Sequence, residues 1–330
     1  MTPVRSLNTG LISGSMLVGN PAYVPDRGVF LGGSTNSTYT GAVNTIDYIA
    51  SIATLSNAID FGDLSATRAQ AGGFSSEARA LAAGGFNTSG TNLNTIDYVT
   101  MATVGNASNF GNLTGTRRAM GGLSNNTRGI WAGGYTGSAE FTTMDYVTIA
   151  TAGNASNFGT LYQTVFSYGG GAGSTTRGIW AGGAYNGGGN YWNGMQYVTI
   201  ATAGNASYFG NISGTVAGLG ACCSSGTRFL SAGGTNTNGT NRNEIDYVTI
   251  ASTGNYTTFG TLTVSRTYAC ATSNGTRGLF VGGHDGGTWS PYNVIDYVTI
   301  ASTGNATDFG DLTQARGQGT VGASTCHGGI

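Results

Sequence analysis

Six arginines, Arg27, Arg79, Arg128, Arg177, Arg228 and Arg277, each open a near-copy of one phrase. It reads "RGIWAGG" at 128–134 and again at 177–183, "RFLSAGG" at 228–234 and "RGLFVGG" at 277–283. Two more landmarks keep the same spacing. One is a tyrosine in "IDYVTIA" or a close variant: Tyr48, Tyr98, Tyr146, Tyr197, Tyr247 and Tyr297. The other is a phenylalanine in "FGxL" or "FGxI": Phe61, Phe110, Phe158, Phe209, Phe259 and Phe309. The arginines recur every 49 to 52 residues. At such a period each unit is one supersecondary element that buries its apolar surface against its neighbours.

The unit at 117–161 contains four short runs rich in β-branched or aromatic residues, at 118–124, 129–134, 143–150 and 157–161. Gly, Asn, Ser and Thr clusters bound them, and no stretch shows a helical period. Four strands joined by short links pair antiparallel. Six such units predict an all-β fold, a six-bladed β-propeller, since blades of four strands number roughly 4–8 around an axis. The first run of each unit is built from small residues, as in "AQAGGFS" (69–75) and "VAGLGACCS" (216–224). Strands crowd together at the axis, so this run is the expected inner strand.

The two ends of the chain complement each other. "RGVFLGG" at 27–33 has no small-residue run before it, and "ARGQGTVGAST" at 315–325 has no second run after it. Residues 316–325 are therefore expected to supply the inner strand of the blade whose other three strands come from 27–64. That pairing closes the ring and covers two strand edges. The division is an N-terminal extended arm at 1–22 and a propeller at 23–330.

Composition excludes several classes. Glycine is 59 and proline 4 of 330 residues, short of the roughly 25–30% share that marks disorder. Only 8% of residues are charged, with 13 basic against 14 acidic and no lysine. No basic stripe exists for a nucleic acid. No apolar run approaches the roughly 18 residues of a membrane span, and the first residues lack the apolar core of a secretory signal. Cys222, Cys223, Cys270 and Cys326 form no metal-binding spacing and read as free thiols.

The order of arginine, small run, G-aromatic-small-GG, variable loop, apolar-acid-Tyr, T-G-N, aromatic and Leu resembles the kelch repeat, with phenylalanine where that repeat carries tryptophan. The wording "NTIDYVTIATxGNAxxFGxL" also looks like the kelch-like propellers of bacteriophage structural and tail-associated proteins. That resemblance implies a virion protein made in the host cytoplasm, either a tail, fibre, neck or head-surface component. It also implies contact with other virion proteins through the arm, and leaves self-association within the particle open.

No catalytic constellation emerges. Asp47, Asp97, Asp145, Asp246 and Asp296 precede the repeated tyrosines, with Gln196 in the fourth unit. A feature of every unit serves the scaffold, so these acids are expected to pair with the six landmark arginines. Most of the non-repeated acids (Asp26, Asp60, Asp63, Glu77, Glu140, Glu244, Asp285, Asp308, Asp311) are single and tied to turns; a hydrolase would need two facing across a substrate. His284 and His327 are the two histidines, too few for a copper site or a triad. No cofactor or metal is expected. The Gly-Asn pairs at Asn106, Asn154, Asn205 and Asn305 are sequons, but they are also turn residues.

Diversity is confined to the links between the second and third runs, such as "AYNGGGNYWNG" (184–194) and "HDGGTWSPYNV" (284–294). In an antiparallel blade these links all emerge on one face. Their Tyr, Trp, Asn, Gly and Ser are residues of binding loops. The candidate ligand-binding residues are Tyr185, Tyr191, Trp192, His284, Asp285, Trp289 and Tyr292, facing a host-surface glycan or receptor, or simply packing the loops. A free carbohydrate- or protein-binding module is the alternative, with a polysaccharide-degrading enzyme behind it.

Overall fold

The computed structural model describes residues 26–166, 170–188, 190–212, 216–217, 220–236, 240–318 and 320–324. The arm at 1–22, Cys326 and His327 lie outside them. Six four-stranded antiparallel sheets form a ring of blades. Blade 3 shows the pattern, running outward through Gly121–Ser124, Arg128–Ala132, Thr143–Thr148 and Ser156–Thr160. The first three are shorter than the runs expected from sequence, and the fourth has the same length shifted by one residue. Ala119, with φ 59°, and Gly133 and Gly134, with φ 67° and 110°, turn the backbone out of the extended region.

Blade 1 is closed as the chain ends predict. Val321–Ser324 pairs with Gly28–Leu31, Val29 opposite Ala323, and Thr45–Ile49 and Ile59–Asp63 complete the sheet. The first and last parts of the chain thus share one sheet, and the inner strands contact one another all the way round the axis.

The apolar core is divided among the spaces between blades. Val29, Leu31, Ile46 and Phe61 of blade 1 pack on Ala80, Ala82, Val99 and Met101 of blade 2, and each junction repeats this. Each recurrent phenylalanine meets its blade's tyrosine edge-on, as Phe158 does Tyr146 at 5.9 Å. Backbones approach so closely that two glycines are obligatory. A Cβ on Gly122 would overlap the backbone of Gly73 in the neighbouring inner strand, and one on Gly111 would overlap the carbonyl of Gly153 in the next blade.

Three polar devices repeat around the ring. The last serine of an inner strand donates its hydroxyl to the carbonyl of the preceding blade, as Ser124 Oγ does to Ser75 O at 2.6 Å and Ser324 Oγ to Ser273 O at 2.6 Å. Ser75, Ser224 and Ser273 do the same, whereas blade 4 carries Gly173 there. The asparagines of the outer turns, Asn57, Asn106, Asn154, Asn205, Asn255 and Asn305, each accept a backbone N–H from the outer strand of the preceding blade. Their amides are thus part of the turn chemistry expected of them, and they staple blades together as well.

The third device corrects the expected ion pairs. The landmark arginines do not meet the repeated aspartates. Each lies over the tyrosine of its own blade, Arg128 at 4.7 Å from the Tyr146 ring, and donates to carbonyls of the next blade, here Ile200 O at 3.1 Å and Ala201 O at 2.7 Å. The aspartates pair with a second arginine set that follows the FGxL phrase. Arg68 meets Asp97 at 2.8 Å, Arg266 meets Asp296 at 2.8 Å, Arg316 meets Asp47 at 3.2 Å, and Arg117 meets Asp145. Both partners are fully buried in all four pairs, and each joins two blades.

Blade 4 replaces its pair with Val165 and Gln196. The Gln196 Oε1 accepts the Tyr162 N–H at 2.8 Å, and Val165 joins the apolar junction. Blade 5 has Val216 at the arginine position, and Arg242 from its own variable loop stands 3.8 Å from Asp246 instead.

Candidate functional site

All the variable loops emerge on one face, because each is bridged to the link that brings the chain in from the preceding blade. Ser34 pairs with Gly317, Phe86 with Ala69, Tyr135 with Arg118, Ala184 with Phe166 and His284 with Thr267. The opposite face carries the repeated turns. Hollows beside Thr199–Asn205, Thr100–Asn106 and Thr299–Asn305 lie at equivalent turns of three blades, so they have no residues of their own to confer specificity.

The axis is nearly filled. A cavity of about 50 Å³ runs between Gly73, Gly122, Gly171, Ala221, Ala271 and Gly322. That is well below the roughly 300–1,000 Å³ of a small-molecule site. Between these residues the axis leaves no room for a small molecule.

The seven candidate residues fall into two groups separated by blade 5. On blade 4, Ala184–Tyr185 and Asn190–Tyr191 form a small hairpin that leaves Tyr191 37% exposed and Tyr185 half-buried. Trp192 is partly buried against the junction of blades 3 and 4, and its backbone N–H donates to Gly183 O at 2.9 Å. It anchors the loop.

On blade 6, His284 is only 2% exposed and lies in a stack of rings. Its imidazole is 4.9 Å from Tyr268 and 4.3 Å from Trp289. The Nδ1 sits 2.5 Å from Asp285 O, which makes it the donor, so Nε2 is a buried acceptor with no partner among the described residues. Burial pushes the imidazole below its ordinary range. Trp289 caps the stack, 38% exposed, with φ 58°. The Asp285 carboxylate accepts from Ser290 N at 2.8 Å and from the Thr288 hydroxyl, bonds that hold the loop in shape and pull its pKa down. Tyr292 is half-buried and its carbonyl accepts the backbone N–H of Arg316 at 3.1 Å.

The acids of this face are occupied separately. Glu140 accepts the Gly187 N–H at 2.8 Å, and Glu244 pairs with Arg242 at 3.1 Å. Among the described residues no group of three His, Cys, Asp or Glu side chains is placed to hold a metal.

Residues outside the variable loops, or passed over within them, also shape the face. Gln70, Ala119, Tyr268 and Gln318 occupy the same position at the entry to four inner strands, all with φ between 54° and 59°. Such conformations cost about 1–3 kcal/mol at a non-glycine residue and collect at special sites. Here they link blades around the mouth of the axis. Gln70 N donates to Gln318 O at 2.7 Å and Ala119 N to Gln70 O at 2.8 Å. Arg118, Tyr39, Phe86 and Tyr135 form a second aromatic group across blades 1 to 3. The signal for Arg118 was in the sequence, since the residue after the second arginine set reads Ala69, Arg118, Thr267 and Gly317, as variable as any loop.

Compared with known proteins, the chain matches no protein-family description and no curated protein.

Proposed function

We propose that this β-propeller is a non-enzymatic virion structural protein of a bacteriophage, in a tail, fibre, neck or head-surface component, whose variable face attaches to a host surface or to neighbouring virion proteins. One observation carries the attachment reading: sequence diversity and three of the five exposed aromatic rings share one face, the other two, Tyr162 and Tyr208, pairing beside the outermost strand of blade 4, while the opposite face repeats. Tyr39, Tyr191 and Trp289 are 47%, 37% and 38% exposed, with Asn, Thr and Ser around them. Rigid aromatic rings beside adaptable hydrogen-bonding groups make an attachment surface. The phage setting rests on the kelch-like wording of the repeat, and the arm at 1–22 would reach the neighbouring virion proteins.

The test is calorimetric titration with a panel of bacterial surface polysaccharides, for the wild type and for the double substitution Tyr191→Ala, Trp289→Ala. Trp192 is left intact because it packs the loop. Saturable binding that disappears in the double variant supports attachment through this face. Equal binding by both proteins refutes it.

A further inference from the structure

Of the twelve arginines in the described residues, eleven have a carboxylate or a carbonyl oxygen as partner, among them Arg27 at Met101 O and Arg242 at Glu244. Arg118 has neither. Its backbone is fixed by reciprocal hydrogen bonds with Tyr135, at 3.0 and 2.9 Å. Its guanidinium carbon lies 5.4 Å from the Phe86 ring, 5.7 Å from Tyr39 and 5.8 Å from Tyr135. Further contacts hold those rings. Tyr39 meets Phe86 edge-on at 4.9 Å, and Tyr135 stacks on Phe166 at 5.0 Å. The Arg118 Nε is buried and has no acceptor. A Cβ placed on Gly137 would meet nothing nearer than Arg118 Nη2, at 3.9 Å, so the terminal nitrogens face the loop tip.

A guanidinium that has shed water on its inner side, and gained only ring faces in return, presents its remaining N–H fork to an anion. From this geometry we infer that Arg118 is a binding site for the carboxylate of an acidic sugar, with the exposed part of Tyr39 touching the sugar beside it. A bidentate arginine–carboxylate pair has the directionality the aromatic collar imposes. The surroundings favour a sugar over an acidic peptide. Asn36, Thr38, Thr40, Asn87, Thr88 and Ser89 line the two loops beside Tyr39 and Phe86 with amides and hydroxyls, and supply no second cation for a run of carboxylates.

This inference rests on the variable face being an attachment surface, and the experiment separates the two. Oligogalacturonate, its methyl ester, neutral oligosaccharides and polyglutamate are titrated into the full chain by calorimetry at low salt. The wild type should bind oligogalacturonate saturably and its methyl ester weakly. Arg118→Gln should lose binding by roughly tenfold to a hundredfold, the worth of one or two charge-assisted hydrogen bonds. Arg118→Lys, which keeps the charge without the fork, should fall between the two. Both variants are checked for an unchanged thermal midpoint, and Arg118→Lys, which keeps its stem packing, answers if Arg118→Gln unfolds. Absence of oligogalacturonate binding, equal binding of the methyl ester, or binding by Arg118→Gln within twofold of wild type overturns the inference. Tighter binding of polyglutamate than of oligogalacturonate overturns it in favour of an acidic peptide. In each case, binding of neutral sugars that is lost in the Tyr191→Ala, Trp289→Ala variant leaves the attachment reading standing.

Discussion

The buried ion pairs between blades invite a double-mutant experiment for which the chain supplies its own control. In blade 2 the Asp97 carboxylate is inaccessible to solvent and receives Arg68 Nη2 at 2.8 Å, Ser65 N at 2.9 Å and Ser65 Oγ at 2.7 Å. Replacing Arg68 with valine removes the counter-charge and strands a carboxylate in the junction. Removing one partner of a buried pair costs about 3–5 kcal/mol, most of it the desolvation of the ion left behind. Blade 4 already uses Val165 with Gln196, an amide that accepts Tyr162 N at 2.8 Å and donates to Gln163 O at 3.3 Å. Copying that pair into blade 2, as Arg68→Val with Asp97→Gln, removes the charge along with its partner. The double variant should lose only about 1–2 kcal/mol, chiefly from the smaller side chain at position 68. Urea unfolding at neutral pH, followed by tryptophan fluorescence and far-ultraviolet dichroism with unchanged m-values, measures both. If the double variant unfolds as early as Arg68→Val alone, the stranded charge is not the source of the loss, and the reasoning fails.

Three further outcomes follow from the same structure. Blade 4 has Gly173 in place of the ring serine, a three-residue inner strand and no buried ion pair, so amide exchange over Gly171–Ala181 should be at least about tenfold faster than over Gly72–Ala83; equal protection would show that these devices do not set local stability. His284 binds a proton less readily folded than unfolded. Stability should therefore be complete above the ordinary histidine pKa of about 6.5 and decline as pH falls below it, with His284→Gln flattening the slope; a midpoint that rises on acidification contradicts this. Burial pushes the Cys222 and Cys270 thiols up to about 12 and raises Cys223 as well, so a disulfide reagent should leave all three unmodified in the folded Cys326→Ser protein and label them in urea; rapid native labelling would mean the inner strands open.

The variable face was only partly legible in the sequence. The loops at 184–194 and 284–294 stood out because they break a repeat, and their aromatics do reach the variable face. For Trp192 and His284 the sequence left contact and loop packing both open; Trp192 is partly buried and His284 buried, since a loop residue's burial depends on the neighbouring blade beneath it. Tyr268 and Arg118 lie on the short links into the inner strands, and only the bridges from those links to the loops bring them beside Trp289 and Tyr39.

Period, strand content, blade number and the closing of blade 1 by residues near the chain end were all determined by the sequence alone. They depend on local propensity and on a count of units, both of which survive without coordinates. Which arginine meets which aspartate was decided only by the tertiary structure. The landmark set and the Arg68 set recur with the same period, so spacing cannot distinguish a partner in the same blade from one in the next. The stagger between adjacent blades places Arg68 against Asp97 and leaves Arg79 over Tyr98, because buried charges are tolerable only where an opposite charge comes within hydrogen-bond reach.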